Sequence, residues 1–183
     1  TITFEAVNEP MVIRRLVIAA INEQPDYEGY IAAVDKNTYK NSDTAFEQKV
    51  QGEDSTFRSA PSLYATYDRS SATTEPYSSA KIKLNMIGGQ AWKVSGQWIE
   101  WEITVPEDGM YEISIKGRQN YQRGFVSNRA VYIDGVIPFK EVSAIPFQYD
   151  NAWEMLTLSD AEGNPYQFAL TAGTHTVRLE VTL

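Results

Sequence analysis

The chain has no cysteine, one histidine, few basic residues and no long apolar run, and each shortage removes a class of function. Without cysteine there is no disulfide, no thiolate nucleophile and no cysteine metal site, though the absence does not fix the compartment. The single histidine, His175, rules out a histidine-rich metal centre and is the obligatory base of any Ser-His-Asp arrangement. Lys and Arg number 16 against 24 Asp and Glu, for a net charge of −8. The basic footprint of a nucleic-acid or anionic-membrane surface is therefore missing beyond Arg14-Arg15, and no nucleic-acid partner is expected. The longest apolar segment, Leu16 to Ile21, falls far short of the roughly 20 residues of a membrane-spanning helix, so no membrane insertion is expected either. Gly88-Gly89 lacks the other glycines, the Lys and the Ser/Thr of a phosphate loop, and no dinucleotide fingerprint occurs.

What is present is a chain of 183 residues that should bury roughly 70% of its unfolded surface in one core. Its 11 Tyr and 4 Trp exceed what a core requires, which implies exposed rings. Beginning at Thr1 without an initiator Met and stopping at Leu183 inside an apolar alternation, the sequence reads as a piece of a longer protein.

The clearest structural signal lies between Gly96 and Ile115. Ile99, Trp101, Ile103 and Val105 share one face of a strand, with Trp98, Glu100, Glu102 and Thr104 opposite. After Pro106-Glu107-Asp108-Gly109, Tyr111, Ile113 and Ile115 repeat the alternation. The two arms read as a hairpin of a β-sandwich, with Trp101 in the core. Further strands are expected at Lys81 to Met86, Arg129 to Ile133 (ended by Asp134-Gly135), Ser143 to Phe147, Trp153 to Leu158, Gln167 to Leu170 and His175 to Leu183. Residues 1 to 21 read as two short strands. The one clear helix opens at Pro25-Asp26-Tyr27-Glu28, and a further helical turn is expected around Thr44 to Lys49. Ser55 to Ala80 keeps Leu63, Tyr64, Tyr67 and Tyr77 among polar residues, so it is expected to be an ordered loop packed on the sandwich. Short strands with frequent turn signals imply an all-β fold, an antiparallel sandwich or jelly roll with a short N-terminal helix.

Several runs resemble a known family: Gln51-Gly52-Glu53-Asp54, Gly96-Gln97-Trp98-Ile99-Glu100-Trp101, Val105 to Tyr111, Tyr132-Ile133-Asp134-Gly135 and Ala172 to Val177. Together they resemble carbohydrate-binding modules of families 6 and 35, which are galactose-binding-like jelly rolls. Asp68-Arg69-Ser70-Ser71, Leu84-Asn85, Ile87-Gly88-Gly89, Pro138-Phe139 and Leu179 to Leu183 look like the version found in extracellular solute-binding proteins of Gram-positive sugar ABC transporters. The resemblance covers residues 50–183 and implies a non-catalytic, extracellular, cell-surface-associated module. Its expected partners are carbohydrate and the neighbouring domains of a larger parent, with residues 1–49 as a connecting segment. No cofactor is required, although the family places a structural calcium where this chain has Gln51 and Glu53. Replacing one of the family's two carboxylates by an amide weakens such a site.

Sugar recognition needs exposed rings and planar polar groups on loops. Arg118, Gln119, Asn120, Tyr121 and Arg123 concentrate both, and Trp92 and Trp153 are further ring candidates. Arg118 has a plainer use as partner of a surface acid, and either Trp could cover a core edge. Trp98 is expected to pack beneath the Ser55 to Ala80 loop. Glu100 and Glu102, about 6.8 Å apart on one strand face, resemble a glycosidase pair in spacing, but as solvated outer-face acids they lack an environment that would tune a proton donor. His175 shares the face of Val177 and Leu179 and reads as a capping or core-edge residue. No enzyme is expected; the competing function is a structural or interdomain-contact sandwich with no ligand of its own.

Overall fold

A computed structural model describes residues 23–40 and 46–182. The strands expected in residues 1–21, the start of the turn at Thr44 and the terminal Leu183 lie outside the described residues; residues 46–49 are not helical. One short helix, α1 (Tyr27–Ala33), precedes the strands β1 (Phe57–Arg58), β2 (Ala65–Thr66), β3 (Met86–Ile87), β4 (Trp98–Val105) and β5 (Gly109–Glu112). Then follow β6 (Ser114–Gly117), β7 (Ser127–Ile133), β8 (Ile145–Phe147), β9 (Glu154–Thr157), β10 (Gln167–Leu170) and β11 (Gly173–Thr182). Every strand pair is antiparallel.

One layer is a sheet in the order β1-β4-β11-β7-β8. The facing layer is built on β5 and β6, one strand interrupted at Ile113, with β10 paired to its first half and β9 to its second. Between them Val131, Val177 and Leu179 of the first layer meet Leu158, Phe168 and Leu170 of the second. The fold is an all-β sandwich, and alternation places two of its strands well: Gln167 to Leu170 is reproduced, and β11 follows the expected face through His175, Val177, Leu179 and Val181, all buried.

The arms around Pro106 do not pair as a hairpin. β4 pairs with β11 and β1, while β5 pairs with β10, so Pro106 to Asp108 carries the chain from one sheet to the other. The turn is pinned from outside, since the Asp108 carboxylate accepts the Ala172 N–H at 2.6 Å and the Tyr111 hydroxyl donates to the Glu107 carbonyl at 2.8 Å. The strand expected at Lys81 to Met86 shrinks to β3, because its partner β2 ends at Thr66 and leaves Ile82 and Leu84 exposed with no ladder to join.

Helix α1 forms because Asp26 caps it, accepting the Gly29 N–H at 2.8 Å, and Glu28 lies in the first turn where the dipole favours an acid. It closes the free edge of β10. The Phe168 and Leu170 side of that strand faces β5, and the outward amides of Gln167 and Ala169 donate to the hydroxyls of Tyr27 (3.0 Å) and Tyr30 (2.8 Å). The two rings pack on Phe139, at centroid distances of 4.9 and 5.1 Å. Part of the segment expected to connect the module to its parent is thus fastened to the sandwich itself.

The outer face of the larger sheet corrects a second expectation. Glu100 is buried, not solvated: β4 and β11 set it opposite Arg178, whose Nε and guanidinium NH2 both lie 2.8 Å from one carboxylate oxygen. Arg178 also lies 4.1 Å above the Trp98 ring, so a guanidinium stacks on that ring, and Ser59 of the Ser55 to Ala80 segment bonds the Trp98 backbone. Trp101 packs half-buried against the core, its indole N–H donating to the Gly52 carbonyl at 3.0 Å.

At the end of the sandwich holding the Asp134-Gly135 turn, His175 is buried and both ring nitrogens are engaged. Nδ1 lies 2.6 Å from Asp134 and Nε2 2.8 Å from the Thr171 carbonyl. Burial pulls the His175 pKa down, but Asp134 and the Thr171 carbonyl outweigh it, and the net shift is upward. A raised folded-state pKa stabilises fully below the ordinary value near 6.5 and is lost as pH rises through the folded value. The sole histidine should therefore titrate above pH 6.5 by NMR. Melting temperature should fall more from pH 6 to pH 9 in the native chain than in H175Q; equal falls would show that the pair contributes nothing.

Candidate functional site

The loops carrying the sequence candidates converge at the opposite end. β6 and β8 run toward it, and β4, β7 and β9 start from it, so the connections before Trp98, after Gly117 and after Phe147 meet there. Backbone contacts join them: the Asp150 N–H donates to the Gln119 carbonyl at 2.9 Å, and Gln119 bridges Tyr149. The Tyr121 hydroxyl comes within 3.9 Å of where a Gly89 side chain would begin. Trp92, Tyr121 and Trp153 therefore share one end, but in different roles.

Trp92 is packing. Its indole N–H donates to the Gln97 carbonyl at 3.1 Å, and Arg129 lies 4.4 Å above the ring. Gly88, at φ 94°, makes room for it, since a Cβ there would stand 2.9 Å from Trp92 Cε3. Arg129 is buried and donates to Ser127, Asn128 and Trp92; burial pushes its pKa down to about 10.

Arg118 and Trp153 come together over a residue the candidate set lacked, Asp68. Its Oδ2 lies 2.9 Å from the Arg118 guanidinium and accepts the Trp153 indole N–H at 2.6 Å. Arg118 stacks 4.9 Å above the Trp153 ring and also donates to the Ser70 hydroxyl at 2.8 Å and the Asn151 carbonyl at 3.4 Å. Ser70 returns its N–H and hydroxyl to Asp68, both at 2.8 Å. The Asp68 and Arg118 side chains are only 10% and 14% exposed. Burial pushes the Asp68 carboxyl upward, but the Ser70 amide, the Trp153 indole, the Ser70 hydroxyl and the Arg118 charge outweigh it and hold the pKa below the usual carboxylate range. Buried Asn85 fixes the backbone of Asp68, accepting its N–H at 2.7 Å and donating to its carbonyl at 2.9 Å. The Asp-x-Ser spacing of residues 68–70 is a readable turn signal; the partner across the fold is not.

Gln119 is likewise spent on structure. Its amide donates to the carbonyls of Gln122 (3.2 Å) and Phe125 (2.9 Å), and its oxygen accepts from the N–H groups of Tyr121 (3.0 Å) and Gln122 (3.3 Å). The loop so shaped presents Tyr121, 57% exposed, and Phe125, 65% exposed. Phe125 was not among the sequence candidates; an aromatic after Gly124 in a polar loop was the available sign. Half-buried Asn120 and exposed Arg123 beside these rings have side chains with no partner among the described residues. A crevice of about 90 Å³ lies next to the loop, between Arg118 and Gln119 on one side and Phe147, Asp150 and Glu154 on the other. A larger open hollow of about 400 Å³ lies apart, between α1 and β5, lined by Ile31, Val34, Lys36, Tyr39 and Met110.

The calcium expectation meets one carboxylate. Glu53, in the short turn Gly52–Asp54, has a buried oxygen without a partner, and burial pushes its carboxyl pKa up. The Ser55 hydroxyl is buried and unpartnered as well. Calcium takes 6–8 oxygens, several of them charged, and among the described residues no three acidic or histidine side chains converge.

No family model matches the chain, and no curated protein does. Among solved structures it is similar to a cycloisomaltooligosaccharide glucanotransferase of Paenibacillus sp. complexed with cycloisomaltoheptaose. Identity is 23%, covering 78% of this chain and 17% of that one, with a TM-score of 0.50. It also matches a Podospora anserina GH26-CBM35 β-(1,4)-mannanase (14% identity, 73% and 24% covered, TM-score 0.48) and a ruminal GH26 endo-β-1,4-mannanase (17%, 75% and 23%, TM-score 0.44). The chain spans less than a quarter of each of these proteins. The likeness to the glucanotransferase is one of fold.

Proposed function

We propose that this chain is a non-catalytic carbohydrate-binding module of an extracellular protein, binding glycans at the end where Tyr121 and Phe125 are presented. One observation carries the reading: within a single loop the supporting groups are satisfied internally, while two rings stay exposed and the side chains of Asn120 and Arg123 have no partner among the described residues. Rings facing solvent suit the apolar faces of sugars, and unpaired amide and guanidinium donors suit hydroxyl pairs. The crevice beside the loop is small, about 90 Å³, and exposed rings at its rim suit docking of a ligand. Glu100 is held by Arg178, and both His175 nitrogens are engaged within the fold. Placement in a solute-binding protein of a sugar transporter rests on the sequence resemblance at residues 68–71, 84–89 and 179–183.

Titration calorimetry of the intact chain against neutral oligosaccharides should give saturable binding. Tyr121→Ala should weaken it at least about tenfold, as loss of a central aromatic anchor does. Val136→Ala, exposed at the opposite end, should leave it unchanged. Equal affinity in all three chains would put the site elsewhere. A second reading, contact with a neighbouring domain, is favoured by the exposed Tyr64 and Tyr67 of the long loop and Ile82 and Leu84 just after it; it predicts no glycan binding in any arm.

A further inference from the structure

We propose, building on the carbohydrate reading, that the site selects uncharged glycans over uronates and that Asp68 is the residue that makes the selection. Arg118 has the planar fork that recognises a carboxylate, and its stacking on Trp153 would position one well. That place is taken from within the chain. Asp68 fills it, and the other Arg118 contacts go to Ser70 and the Asn151 carbonyl. An incoming carboxylate cannot displace Asp68 easily, because Asn85 clamps its backbone on both sides and Ser70 and Trp153 hold its oxygens. A tethered group competes at a high effective concentration.

Nor is there a second cation within the crevice. Asp150 and Glu154 line it beside Arg118, so a uronate entering there meets acids facing a guanidinium already neutralised. Placing like charges together in an interface costs enough to decide between ligands. The exposed Arg123 of the loop offsets this little. A neutral sugar meets none of the penalty, since its hydroxyls can accept from Asn120 while its apolar face packs on Tyr121.

The test compares matched pairs. Galacto-, manno- and gluco-oligosaccharides and the corresponding galacturonate, mannuronate and glucuronate oligomers are titrated into the intact chain at about 0.05 M and about 1 M salt, where the Debye length falls to about 3 Å. In any series that binds, the neutral member should bind at least about tenfold more tightly, and the preference should persist at high salt, which screens the net charge of −8. Equal or tighter uronate binding overturns the inference and leaves the carbohydrate reading standing; no binding in any series overturns both. Asp68→Asn, checked for folding by its melting curve, should gain uronate affinity, and an unchanged ratio would remove Asp68 as the cause. Glu154→Gln, which removes one exposed crevice acid, should narrow the preference without abolishing it. If it abolishes the preference, the assignment to Asp68 is wrong, and this arm decides even if the Asp68 variant does not fold.

Discussion

Phe139→Ala should cost about 3–5 kcal/mol of stability and release α1 from the sandwich. Phe139 is fully buried and lies at the junction of helix and sheets, with ring partners Tyr27, Tyr30, Tyr166 and Phe168 at 4.9, 5.1, 5.2 and 5.5 Å. Truncation leaves a cavity that four rings cannot all collapse into, since Tyr27 and Tyr30 are tethered through their hydroxyls to the β10 edge. For a domain of this size the loss corresponds to a fall of roughly 6–20 °C in melting temperature. Denaturant unfolding followed by Trp fluorescence measures the first part. Hydrogen exchange measures the second: the Gln167 and Ala169 amides should lose protection more than the Phe168 and Leu170 amides, which face β5. Uniform loss would mean that α1 does not seal that edge independently.

Asp68→Ala should have the next largest effect, about 2–3 kcal/mol, because it strands a buried guanidinium and an indole N–H at once. The loss should be partly recovered in the double variant Asp68→Ala, Arg118→Met, where no unpaired charge remains; additivity of the two single changes would show that the pair is not coupled. The pH dependence follows from the lowered Asp68 pKa. The contribution is present above the unfolded-state value near 3.9 and is lost as pH falls through the lower folded value. Acid melts should therefore show a limb in the native chain that is missing from the Asp68 variant.

How far the sequence spoke depended on whether the deciding contact was local. Alternation in Trp98 to Val105 and in His175 to Val181 placed both strands, because burial on one face constrains every second residue. Asp26 announced α1 because a cap bonds to its own helix. The turn Pro106 to Gly109 looked like a hairpin because turn residues report only that the chain reverses, while pairing was settled by layers formed with β10 and β11. Glu100 was correctly put on the outer face, yet its burial depended on register with Arg178. The loop after Gly117 was picked out by composition. Which of its groups support and which are free could not be, because Gln119 bonds its own loop and Arg118 answers to Asp68, a residue far away in sequence.

Glycan contact at the Tyr121 end of the sandwich is the central expectation. Titrating the ¹⁵N-labelled protein with neutral galacto-, manno- and gluco-oligosaccharides and following amide and indole shifts locates that contact directly. Shifts should concentrate in residues 118–126 and reach the Trp153 indole N–H, leaving the Asp134-Gly135 turn unmoved. No shift at millimolar sugar, or shifts gathered at that opposite end, would contradict it.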